Sequence, residues 1–165
     1  MRPKLRFLTL LCVAVLFIVP VLSSCRGGEE ELTVGSISER IRAEISFPKM
    51  IELSPEQLSS HFNLSADSFS DFSVYISDED EKADEYAVFE MKKDTDETEV
   101  FNAISIHIAD RSSNFRQFPP EYEKFQTNVL RSKDRFLMLV VCGDAERASE
   151  LLESMGAVPV AATNK

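Results

Sequence analysis

Apolar residues fall along this chain in three patterns: one unbroken run near the start, stripes at helical spacing, and alternations of period two. The run Phe7–Leu22 holds no charge, Thr9 as its only hydroxyl and Pro20 as a breaker. Further on, Ile37, Ile41 and Ile45 recur every four residues, which predicts a short helix over 36–46. Ser36 is its expected N-cap, with Glu39 three residues on as the capping-box partner, and Pro48 closes it. Ser54-Pro55-Glu56 opens a second helix to about Phe62, with Ser54 as cap and Pro55 at the first helical position. His61 then falls near a helix C-terminus, where a cation is favoured, and reads as a surface or capping histidine.

From Phe69 to Ser77 the period changes to two, with Phe72, Val74 and Ile76 on one face and Ser73, Tyr75 and Ser77 on the other. This strand, the charged loop from Asp78 to Lys82 and a second strand over 83–91 form a hairpin. Thr95 or Asp96 then starts a long helix to about Phe115. Its stripe is Val100, Ile104, Ile108 and Phe115, with His107 and Arg111 on the stripe's edge. Phe118-Pro-Pro-Glu-Tyr122 breaks that helix and begins a short one anchored by Tyr122 and Phe125. A strand over 128–132, a tight turn at Lys133-Asp134 and the strand Phe136–Cys142 follow. The last is apolar on both faces and so is expected to be central and covered on both sides. A final helix, Ala145 to Met155, buries Ala148, Leu151, Leu152 and Met155 and ends at Gly156. The expected fold is α+β: a four-stranded antiparallel sheet in ββα-ββα order. The two later helices are placed on one face, and the two N-terminal helices over part of the other. Residues 35–156 form the single domain, and 157–165 a disordered tail.

The opening run changes what the domain is attached to. Arg2, Lys4 and Arg6 precede it without an acid, and Ser23 and Ser24 follow, which is the layout of an export signal over residues 1–24. Its apolar segment is short for a permanent span of about 20 residues. Leu22-Ser23-Ser24-Cys25 resembles a bacterial lipobox. That resemblance implies cleavage between Ser24 and Cys25 and a diacylglycerol on the Cys25 sulfur. Two acyl chains give stable anchoring where one gives only marginal binding. Residues 25–34, rich in Gly and Glu, then read as a lipidated tether. The expected location is the extracytoplasmic face of the cell membrane.

Charge narrows the partners. Removing residues 1–24 takes away three basic residues and no acid, leaving 15 basic against 28 acidic residues, a balance of −13. This argues against nucleic acid and against electrostatic docking on anionic lipid. With Cys12 removed and Cys25 modified, Cys142 stands alone, reads as a core residue and has no disulfide partner in the chain. The Asp78–Glu81 run lacks the glycine and glutamate spacing of a calcium loop and reads as a solvated turn. His107 and Asp110 lie one turn apart, but no nucleophile at a strained turn completes a triad. No metal or cofactor is expected. A sheet face bearing Tyr75, Tyr86 and Tyr122 is the expected contact surface.

Several stretches carry a resemblance: Ala83-Asp-Glu-Tyr-Ala-Val-Phe-Glu90, the helix ending near Arg111, Phe118-Pro-Pro-Glu-Tyr122, and Arg135-Phe-Leu-Met-Leu-Val-Val-Cys142 with Gly143-Asp144 after it. Together they resemble a family of small bacterial lipoproteins known as a domain of unknown function, 4358, over roughly residues 69–154. The chain departs at Phe118, where members often show tyrosine, and at Asp134 and Arg135, where they often show glycine. The resemblance implies no activity, cofactor or catalytic residue. The expected role is a non-catalytic interaction or structural module of the cell envelope, with an envelope protein as partner. The alternatives are a ligand-binding lipoprotein and, ranked last, a surface hydrolase using His107 and Asp110.

Overall fold

The computed structural model describes residues 32–160. The elements in chain order are α1 (Val34–Glu44), β1 (Met50–Glu52), α2 (Pro55–Phe62), β2 (Phe69–Ser77), β3 (Glu85–Met91), α3 (Glu97–Asn114), α4 (Pro119–Gln126), β4 (Val129–Lys133), β5 (Phe136–Val141), α5 (Ala145–Ser154) and β6 (Val158–Pro159). The strands form one antiparallel sheet in the order β1-β2-β3-β5-β4-β6. Among these residues no helix is long and apolar enough to cross a membrane.

The sheet has six strands, not the expected four. The four long strands lie where their periodicity puts them, and two short ones extend the edges. β1 pairs Ile51 with Ile76, and β6 pairs Ser132 with Val158. Neither is long enough to show a period, and each exists because β2 or β4 would otherwise leave a row of N–H and C=O groups unpaired. Val158 and Pro159 are therefore part of the sheet edge rather than of a disordered tail. Residues 161–165 lie outside the described region.

The helices also divide differently from expectation. On one face α2, α3 and α4 send Leu58, Phe62, Val100, Ile104 and Phe125 onto Phe89, Leu137 and Leu139. On the other, α1 and α5 send Ile37, Ile41, Leu151 and Leu152 onto Val88, Met138 and Val140. The two later ββα helices, α3 and α5, thus lie on opposite faces, and so do the two N-terminal helices, α1 and α2. The reason is the period of β3 and β5: successive residues are apolar, so both faces need cover of similar extent. The arrangement also bears on internal repetition. A rotation that exchanges the antiparallel neighbours β3 and β5 runs along the sheet normal and would keep both following helices on one face. The two ββα halves are not related in that way.

Local chemistry sets the element ends. Thr33 caps α1 in place of the expected Ser36, and Ser36 supplies the reciprocal bond of the capping box. Ser54 caps α2 as expected, with Gln57 completing the box. The β4–β5 turn is Asp134-Arg135, one residue beyond expectation, with Asp134 at φ 51°. Gly156, at φ 82°, ends α5, and the Ala157 amide returns to the Leu152 carbonyl.

Leu139 is fully buried in the middle of β5. Burying an unpaired carboxylate there costs on the order of 5 kcal/mol, so Leu139→Asp is expected to abolish cooperative unfolding. A melting curve matching that of the wild type would remove β5 from the centre of the sheet.

Candidate functional site

Two acids meet at the head of β3, Asp84 just before it and Glu85 as its first residue, and they are 3% and 1% exposed. A carboxylate is costly to bury without partners, and each has its own set. Glu85 shares the face of Ala87 and Phe89 and meets α3. Its Oε1 lies 2.8 Å from His107 Nε2, and its Oε2 lies 3.6 Å from Arg111 Nε. The second distance is an ion pair rather than a hydrogen bond. Among the described residues neither of those two atoms has a hydrogen-bond partner. Across the ring, His107 Nδ1 donates to the His61 carbonyl at 2.9 Å, which ties α3 to the last turn of α2. The His107 ring stacks on Phe62 at 3.9 Å between centroids, and the Arg111 guanidinium lies over Phe115 and Phe125.

Asp84 belongs to a second network, built on α4. Lys124 Nζ donates to Asp84 Oδ2 at 2.6 Å and to Glu121 Oε2 at 2.8 Å. The Ala83 amide donates to the same Glu121 oxygen at 2.9 Å, and Lys82 lies 3.5 Å from the other. Burial pushes the Glu121 carboxyl up, but the Lys124 and Ala83 hydrogen bonds and the two lysine charges outweigh it and hold it below the usual range. Burial likewise pushes Lys124 down, and its bonds to Asp84 and Glu121 more than restore it, so its ammonium is held above the usual lysine value.

These contacts decide what chemistry is on offer. The acid partner of His107 is Glu85, from another element, and not the Asp110 that helical spacing suggests. A carbonyl can only accept, so Nδ1 carries its proton, and Nε2 is engaged by the carboxylate. No imidazole nitrogen is left free to act as a base on a substrate. Cys142 is 2% exposed, and burial pushes its thiol up by more than the hydrogen bond from the Asp144 backbone brings it down, so a thiolate is disfavoured. Among the described residues no three metal-ligating side chains converge, and Asp78 of the acidic turn is engaged by Lys49.

The three tyrosines do not form one surface. Tyr86 is fully buried, and its hydroxyl bonds to Ser38, which in turn bonds to Ser73. This places Tyr86 in the core, joining α1 to β2 and β3, and corrects its assignment to a contact face. Tyr75 is half-buried, stacked on Tyr86 at 5.1 Å with Arg42 above its ring. Tyr122 packs against the cluster on the opposite face. Ser24 and Cys25 lie outside the described residues.

The concave surface nearest the first network is a groove of about 330 Å³ between α2 and α3. Ser60, His61, Ile106, His107, Asp110 and Arg111 line it. Ile106 is 62% exposed there, an apolar side chain pointing outward from α3. Two further shallow hollows continue past Asn63 along α3.

Sequence periodicity places His107 and Arg111 at the stripe's edge but says nothing of Glu85. The available signal is the pair Asp84-Glu85 at the start of an otherwise apolar strand. Charges at core positions require partners, and the nearby stretches with unassigned cations are those around His107 and Lys124.

A family model described as "Domain of unknown function (DUF4358)" matches residues 43–142. No curated protein and no solved structure matches the chain. The matched span includes β3, α3 and α4, and hence both charge networks.

Lys124→Met leaves Asp84 and Glu121 beside one another with only Lys82 nearby. Breaking a buried pair from one side costs about 3–5 kcal/mol, so urea unfolding is expected to shift to markedly lower concentration, with Lys124→Arg intermediate. A loss below about 1 kcal/mol, typical of an exposed pair, would show that the network is solvated.

Proposed function

The chain belongs to the DUF4358 family, and from that premise we propose that it works as a non-catalytic binding module of the bacterial cell envelope, held to the membrane by lipid on Cys25. The observation that carries this reading is Leu22-Ser23-Ser24-Cys25, in register with a basic start and an apolar run. Its position relative to the domain supports it. Only residues 26–32 separate Cys25 from Thr33, the cap of α1. Fully extended at about 3.4 Å per residue, such a tether reaches roughly 25 Å. The domain is thereby kept within one domain diameter of the bilayer, while its acidic surface is repelled from anionic headgroups.

The non-catalytic part rests on the engagement of the ionisable core. His107 is bonded to Glu85 and Lys124 to Asp84, and Cys142 is inside the sheet-helix core. Side chains committed in this way stabilise a scaffold. Binding then falls to the outer surface, where the α2–α3 groove with Ile106 favours a second reading, a ligand-binding lipoprotein.

Cys25→Ala tests the anchor. The variant is expected in the soluble fraction or as an uncleaved precursor, without acylation of the mature N-terminus by mass spectrometry. Membrane fractionation and acylation unchanged from the wild type would overturn the assignment. For the binding role, crosslinking in intact cells followed by mass spectrometry is expected to return one recurrent envelope protein, and loss of that crosslink on surface substitution at Ile106 would locate the contact.

A further inference from the structure

Arg111 is held differently from the other well-covered cations of the domain. Lys124 and Arg131, with side chains 16% and 17% exposed, each donate a hydrogen bond to a carboxylate, Asp84 and Glu153 respectively. Arg111, with its side chain 26% exposed, is placed by an ion pair from Nε to Glu85 and by the rings of Phe115 and Phe125. Its Nε has no hydrogen-bond partner among the described residues. The Glu85 carboxylate lies on the Nε side of the guanidinium, and the two terminal amino groups are left to give their hydrogens elsewhere.

The same residue lines the groove of about 330 Å³ between α2 and α3, and so does the exposed Asp110 before it. Ile106, one turn earlier on the same wall, has the highest exposure of the domain's large apolar side chains that reach solvent, at 62%. From Ile106 to Arg111 the helix advances about 7.5 Å at 1.5 Å per residue, so one small molecule can touch a guanidinium, a carboxylate and an aliphatic surface together.

We propose that this groove binds a small zwitterion with an aliphatic body, of the chemical class of a branched-chain α-amino acid. Its carboxylate pairs with Arg111, its ammonium with Asp110, and its side chain lies against Ile106. The assignment rests on the ligand-binding reading of the groove and names the ligand's chemistry. A planar carboxylate matches the guanidinium fork, and taking it up breaks no hydrogen bond of Nε. The charge of the chain favours a neutral ligand. At a net −10 it repels free anions, and a simple cation would meet Arg111 on the wall that carries Asp110. Size points the same way, since about 330 Å³ lies at the small end of ligand pockets.

Amide NMR of the full chain in detergent micelles, titrated with L-leucine, 4-methylpentanoate and leucinamide, tests this. L-leucine is expected to shift the amides of residues 60–63 and 103–114, saturating with a Kd below about 1 mM. 4-Methylpentanoate lacks the ammonium and leucinamide the carboxylate, and each is expected to bind roughly tenfold more weakly or worse. Asp110 is exposed, so Asp110→Asn keeps the fold. It is expected to weaken L-leucine by a similar factor and not to weaken 4-methylpentanoate. Groove shifts as strong with either one-charged analogue, or L-leucine binding unchanged in Asp110→Asn, would overturn the zwitterion and leave the groove a ligand site. No groove shift with any of the three probes at about 10 mM, a concentration ten times the expected Kd, would overturn both.

Discussion

β3 and β5 lie side by side at the centre of the sheet, and both are apolar on successive residues, so neither face of that pair can be left to water. Ala87, Phe89, Leu137 and Leu139 look one way, and Tyr86, Val88, Met138 and Val140 the other. At about 25 cal/mol per Å² of apolar surface, leaving one face open would forgo several side chains' worth of burial, each about 1.5–3 kcal/mol. Helices must therefore be delivered to both sides, and the connections follow from that need. α1 and α5 close one side, and α2, α3 and α4 the other. The domain is a three-layer arrangement because its central strands have no solvent face.

The same demand explains the position of the charges. Covering both faces to the ends of β3 carries Asp84 and Glu85 inside with the apolar residues that follow them. They are accommodated by side chains from two different helices, His107 and Arg111 on α3 and Lys124 on α4. Ion pairs buried in this way add little net stability compared with apolar side chains of the same shape. They do restrict geometry, because each carboxylate meets its partner at one setting of that partner's helix. The two networks thus act as pins that fix α3 and α4 against the head of β3, with α2 attached through α3.

Much of the architecture is legible in the chain because period and capping agree over its longer elements. Phe72-Ser-Val74-Tyr-Ile76 alternates cleanly, Ser54-Pro55 marks a helix start from both cap and φ, and the run ending at Val141 is too apolar for an edge. Three features escape for physical reasons. β1 and β6 are shorter than any period and are induced by the strands they border. The division of helices between faces depends on connection geometry that residue patterns do not encode. The site escapes because its pairs are long-range: Glu85 and His107 are 22 residues apart, and Asp84 and Lys124 are 40 apart. Helical spacing offers His107 a neighbour on its own helix, Asp110, and the fold supplies a better one from the sheet. Tyr86 shows the reverse error, since a tyrosine in alternation passes for a surface residue until Ser38 and Ser73 are seen to satisfy its hydroxyl inside.

The two borders of the sheet have a consequence for recognition. β6 is two residues long, and one of them, Pro159, has no amide hydrogen to give. β1 is three residues long, with Pro48 two residues before it and Pro55 three after. A guest strand needs a run of free donors and acceptors to template on, and β1 and β6 are each too short to present a long one. Pairing of a partner peptide, or of a crowded second copy, onto β1 or β6 is thereby disfavoured among the described residues.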